Sequence, residues 1–75
     1  MTTIDIPQAT IEMVIDWALL DGDYIEKFVR KIEKDMEDQG CEHIDVEGLG
    51  RFTGDEGLEE LHGELEEMLR KRRFN

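Results

Sequence analysis

Along most of the chain, apolar residues recur at steps of three and four, the spacing that gives an α-helix one dry face and one wet face. In the stretch after residue 23 the stripe is Ile25, Phe28, Val29, Ile32 and Met36. In the stretch after residue 53 it is Leu58, Leu61, Leu65, Met68 and Leu69. Both read as helices with a single buried stripe. The punctuation agrees. Asp21-Gly22-Asp23 is a stop followed by a new cap, and Asp23 and Glu26 have capping-box spacing. Gly40 is a natural left-handed residue after a helix ending near Gln39. Thr53-Gly54-Asp55-Glu56 is a second capping box, opening a helix that lasts to about Arg73.

The first helix has a different character. It follows a short leader over residues 1–5, with Asp5 as its cap, Pro7 in its first turn and its end near Leu20. Ile11, Val14, Ile15 and Ala18 form one face; Met13, Trp17 and Leu20 form a second. Together they cover roughly two thirds of the circumference, interrupted by Glu12 and Asp16. Two helical partners do not hide that much surface. Either residues 41–54 fold back over Met13, Trp17 and Leu20, or these three are an apolar interface for a partner or a second copy of the chain. Residues 41–54, with three glycines, are expected to be a long connection with one short turn carrying Ile44, Val46, Leu49 and Phe52 inward.

These elements predict one all-α domain over residues 1–75: a small bundle of three main helices, with room for a short fourth turn and scope to dimerise. A minor α+β variant would pair residues 2–6 with 43–47 as two short strands.

Composition narrows the function. At 75 residues the chain buries only roughly 60% of its unfolded surface, so a homodimer would add useful burial. No apolar run is long enough for a membrane span, and the N-terminus lacks a secretory pattern. A single cysteine, Cys41, suits a reducing cytoplasm. There is no serine, which excludes serine hydrolases and the small acyl carriers whose prosthetic group needs one. Twenty acids against nine bases give a net charge of −11, which repels nucleic acid.

The charge is uneven. Residues 1–34 hold seven acids and four bases (−3), residues 35–67 thirteen acids and Arg51 alone (−12), and residues 68–75 four bases (+4), which sum to −11. Part of this serves helix stability: acids open the third helix, and Arg70-Lys71-Arg72-Arg73 complement the dipole at its end. Glu66 with Arg70 and Glu67 with Lys71 are favourable i,i+4 pairs. Other positions run against local preference. Glu37 and Asp38 occupy the last turn of the second helix, a cost of roughly 0.3–1 kcal/mol each. Glu56, Glu60 and Glu64 stack like charges at roughly 0.2–0.5 kcal/mol per pair. Carboxylates spaced about 5–6 Å apart along a helix can stand in for a nucleic-acid backbone. In size and composition the chain is similar to small acidic phage-encoded inhibitors, including DNA mimics and many anti-CRISPR proteins, which share no common motif.

Three short constellations invite chemistry. Residues 45–56 resemble the EF-hand calcium loop, with Asp45 at position 1, Gly50 at 6, Phe52 at 8 and Glu56 at 12. Against this, position 5 is Leu49, position 3 is the overlong Glu47, and Gly40 ends the preceding helix early. Cys41 and His43 form a Cys-x-His pair, but the remaining histidine, His62, belongs to the edge of a helical stripe, and four zinc ligands are not evident. Cys41 has no visible activating base. Neither a catalytic residue nor a cofactor or metal site is assigned, and no enzyme is expected.

The function expected from sequence is therefore that of a small acidic inhibitor of phage or mobile-element type. It would dock on a basic, nucleic-acid-binding host protein through Glu37, Asp38, Glu42, Glu59, Glu60, Glu64 and Glu67, without touching nucleic acid or membrane itself. Met13, Trp17 and Leu20 would anchor it or join two copies. The alternatives are a calcium-binding regulatory module at residues 45–56, and an acidic antitoxin or transcription-modulating adaptor.

Overall fold

A computed structural model describes residues 3–74. The chain runs β1 (Thr3–Ile6), α1 (Gln8–Leu20), α2 (Tyr24–Gln39), β2 (His43–Val46), β3 (Gly50–Thr53) and α3 (Gly54–Arg73). The sheet order is β1-β2-β3, with β1 parallel to β2 and β2 antiparallel to β3. This is an α+β arrangement, and it corrects the all-α bundle expected from sequence. The pairing of β1 with β2 is that of the minor variant, over residues 3–6 and 43–46; residue 2 lies outside the described residues.

Strand pairing satisfies backbone groups that a loop would leave to water. Asp5 belongs to β1 rather than capping α1, whose N-cap position is held by Pro7. The ladder extends past the strands: Glu47 N–H donates to the Ile6 carbonyl at 2.9 Å, and Gly54 N–H to the Glu42 carbonyl at 2.9 Å. β2 and β3 form a tight hairpin. Leu49 N–H donates to the Val46 carbonyl at 3.0 Å, and Gly48 between them has φ 88°, which the third position of a type II turn requires. The segment expected to be a long connection is thus two strands. It does carry Ile44, Val46 and Phe52 into the core, with Leu49 packed against its margin.

Alternation along the strands gives the sheet two unlike faces. Ile6, Ile44, Val46 and Phe52 are buried together with the inner stripes of all three helices in one core. Across the other face run the rows Thr3–His43–Thr53 and Asp5–Asp45–Arg51. From α1 the core takes Ile11, Val14, Ile15 and Ala18; from α2, Ile25, Ile32 and Met36; from α3, Leu58, Leu61, Leu65 and Leu69. Gly40 ends α2 in the left-handed conformation at φ 65°. The two capping boxes are not formed: Asp23 and Thr53 occupy the N-cap positions of α2 and α3 without a side-chain bond to the helix. The Thr53 hydroxyl instead meets His43 Nδ1 across the hairpin at 3.0 Å. No helix among the described residues is long and apolar enough to cross a membrane.

Candidate functional site

The acidic residues do not form one continuous face. α2 and α3 pack side by side, and the groove between them is lined by Glu33 and Glu37 from α2, Asp55 and Glu59 from α3, and Glu42 just before β2. Val29, Met36, Cys41 and Leu58 supply its apolar lining. The stretch around Glu37, Glu42 and Asp55 holds about 400 Å³ of open space. The positioning follows from helix geometry. Val29, Glu33 and Glu37 lie four residues apart, so they form one row at the edge of the buried stripe of α2. No Lys or Arg lines either stretch of the groove, and none of its five carboxylates belongs to an ion pair among the described residues.

Of the seven acidic residues singled out from sequence, the groove brings together Glu37, Glu42 and Glu59. Asp38 is one residue, about 100°, further round α2 and points away from it. Glu60, Glu64 and Glu67 lie roughly 80–140° round α3 from Glu59, on a different flank of that helix. Glu67 there meets Lys71 at 3.7 Å. Sequence reasoning passed over Glu33 and Asp55. The available signal was Glu33 four residues before Glu37 and four after Val29.

The apolar set is also divided from the core. Met13, Trp17 and Leu20 are 47%, 52% and 83% exposed, joined by Leu19 at 40%. Residues 41–54 do not fold over them, because they belong to the sheet. Trp17 stacks on Tyr24, with ring centroids 6.2 Å apart and planes 24° from parallel.

The EF-hand-like segment is drawn out as the hairpin. Asp45 faces Arg51 in register, and the guanidinium donates to both carboxylate oxygens, at 3.0 and 3.3 Å. That hydrogen bond holds the Asp45 carboxyl below its usual range and raises the Arg51 guanidinium. Glu56 sits apart from this pair, in the first turn of α3. Cys41 is buried, His43 is bonded to Thr53 on the outer sheet face, and His62 lies 3.6 Å from Glu66 on α3. Among the described residues, no three His, Cys, Asp or Glu side chains are grouped so as to hold a metal ion.

Compared with protein-family models, with curated proteins and with solved structures, the chain gives no match.

Proposed function

We propose that this is a small acidic interaction protein whose α2/α3 groove receives a basic surface of a protein that binds nucleic acid, and blocks that surface. The observation that carries this reading is the groove itself: five carboxylates from two helices and the connection before β2, over an apolar lining, with no cation among them. Two carboxylates about 6 Å apart in water repel by roughly 0.7 kcal/mol. The arrangement therefore favours a ligand that brings positive charge. Lys and Arg fit it doubly, since their stems can cover Val29 and Leu58 while their heads reach the rim. Approach of a basic partner would be accelerated by the net −12 of residues 35–67, most strongly at low salt. The phage or mobile-element inhibitor reading rests on this chemistry together with the small size.

The test compares two variants with the same change in net charge. One neutralises the groove (Glu33→Gln, Glu37→Gln, Glu59→Gln). The other neutralises the flank of α3 (Glu60→Gln, Glu64→Gln, Glu67→Gln). Each is titrated with a fluorescent Lys/Arg-rich peptide and followed by anisotropy at low salt and at about 0.5 M salt, where screening acts within several ångström. The groove variant should lose at least about tenfold in affinity, or 1.4 kcal/mol, and the flank variant much less. Equal losses would show that net charge alone attracts the peptide, and the groove would have no special role.

A further inference from the structure

The exposed face of α1 is built differently from a solvated helix surface. Met13, Trp17 and Leu20 follow one another at steps of four and three, the spacing of a helix–helix seam, on the side of α1 away from Ile11, Val14 and Ala18. Their seam is about 10 Å long. Together they leave on the order of 400 Å² of exposed surface in water, a size at which patches on monomers are commonly functional. Stacking on Tyr24 holds the indole in place, so little side-chain freedom remains to be lost on docking.

The flank of this patch carries both signs of charge. Glu12 and Asp16 are the two charged residues of α1, and Asp16 accepts a hydrogen bond from Arg72 at 2.8 Å. That bond places Arg72, at the C-terminal end of α3, beside α1. A two-fold axis that packs two such helices antiparallel brings like flanks together, so an interface of this kind must be self-complementary. Here it is: Glu12 and Asp16 of one copy would lie beside the cationic α3 end of the other. Trp17 would sit near the axis, with Met13 against Leu20 of the second copy. A centre of about 400 Å² with this charged rim approaches the roughly 800 Å² per partner of a stable interface.

We infer that the face of α1 around Trp17 is where two copies of this chain associate. The inference uses different residues from the α2/α3 groove and does not depend on it.

Trp17 is the sole tryptophan, so its fluorescence reports on this surface directly. The full chain is examined by light scattering and tryptophan emission over a dilution series, at low salt and at about 0.5 M salt. The expected mass at high concentration is twice 8.8 kDa, or 17.6 kDa, with emission shifting to the blue as the dimer forms. An apolar centre should keep the dimer at the higher salt, where peptide binding in the groove is lost. Trp17→Arg and Leu20→Glu should each weaken association at least about tenfold while the circular dichroism stays helical. Leu20 is nearly fully exposed, so Leu20→Glu keeps the test valid should the Trp17 variant unfold. A mass of 8.8 kDa at every concentration, or a dimer indifferent to Leu20→Glu, would overturn the inference.

Discussion

α1 and α3 close over the same core but present opposite surfaces to water. α1 has two charged side chains in thirteen residues, and its outer face shows Met13, Trp17 and Leu20. α3 has eleven in twenty, with carboxylates along most of its length and four cations at its end. Their inner faces are alike: Ile11, Val14, Ile15 and Ala18 on one, Leu58, Leu61, Leu65 and Leu69 on the other, all buried. The fold is fixed by what the two helices share, and their outer faces are free to differ. That freedom is why an apolar patch and an acidic groove can coexist on so small a domain.

The sharpest way to break this division is to make the same change on both sides of it. Leu61→Ala removes a side chain with no exposure from the middle of the α3 stripe and leaves a cavity, at a cost of about 2–5 kcal/mol. Leu20→Ala removes one that is 83% exposed and should alter the stability of the monomer by less than about 0.5 kcal/mol. Urea midpoints, measured where the chain is monomeric, give both numbers. A comparable loss for Leu20→Ala would place the outer face of α1 in the fold after all.

A smaller contrast lies within α3. Gly57 sits where the helix turns back along β3, and a Cβ there would lie 2.8 Å from the Phe52 carbonyl carbon, a backbone atom that cannot swing aside. Gly63 is also helical, but a Cβ there would meet nothing within 4 Å. Gly63→Ala should therefore stabilise by up to about 1 kcal/mol, through helix propensity and a stiffer unfolded chain. Gly57→Ala gains the same propensity but forces an overlap that costs about 1–3 kcal/mol, so it should destabilise on balance. Thermal melts of the two variants with opposite signs would confirm that inner and outer positions of one helix answer to different rules.

This contrast also explains what could be read from the sequence. α2 and α3 were legible to within a residue or two, because a stripe sustained over four or five turns can hardly be anything but helical. Of the strands, β1 and β2 were legible only as a minor variant, and β3 not at all. Each has four residues, so alternation shows only as Ile4/Ile6, Ile44/Val46 and the lone Phe52. What makes them strands is pairing between residues 40 apart, such as Thr3 with His43, and no local pattern encodes that register. The capping boxes misled for a related reason: the Thr53 hydroxyl found a tertiary partner in His43. At the candidate site, the second face of α1 was visible as surplus apolar arc. The acidic groove was visible as charge but not as a place, since Glu33 and Glu37 meet Asp55, Glu59 and Glu42 only through the packing of α2 against α3.

The smallest effect expected comes from ion pairs on surfaces that the core does not own. Asp45 on the sheet and Asp21 at the α1/α2 turn both have their carboxyls held below the usual value of 3.8, by hydrogen bonds from Arg51 and Lys27 respectively. In the unfolded chain those bonds are gone and each carboxyl takes up its proton first as pH falls. The pairs therefore contribute fully above about pH 5 and lose their contribution as pH drops through 4 and below, once the folded carboxyls protonate too. Asp45→Asn removes the group that titrates. The stability gap between the unaltered protein and this variant should be flat from neutral pH to about 5 and narrow below about 4. Asp21→Asn should behave alike, since its amide oxygen can still accept from the Asp23 N–H. Both pairs are exposed, so added salt should shrink the gap at neutral pH as well. Urea midpoints across pH and salt measure this directly. A gap that stays constant down to pH 2 would mean that the carboxylate charge contributes nothing, and that the Asp45–Arg51 contact acts through its shape alone.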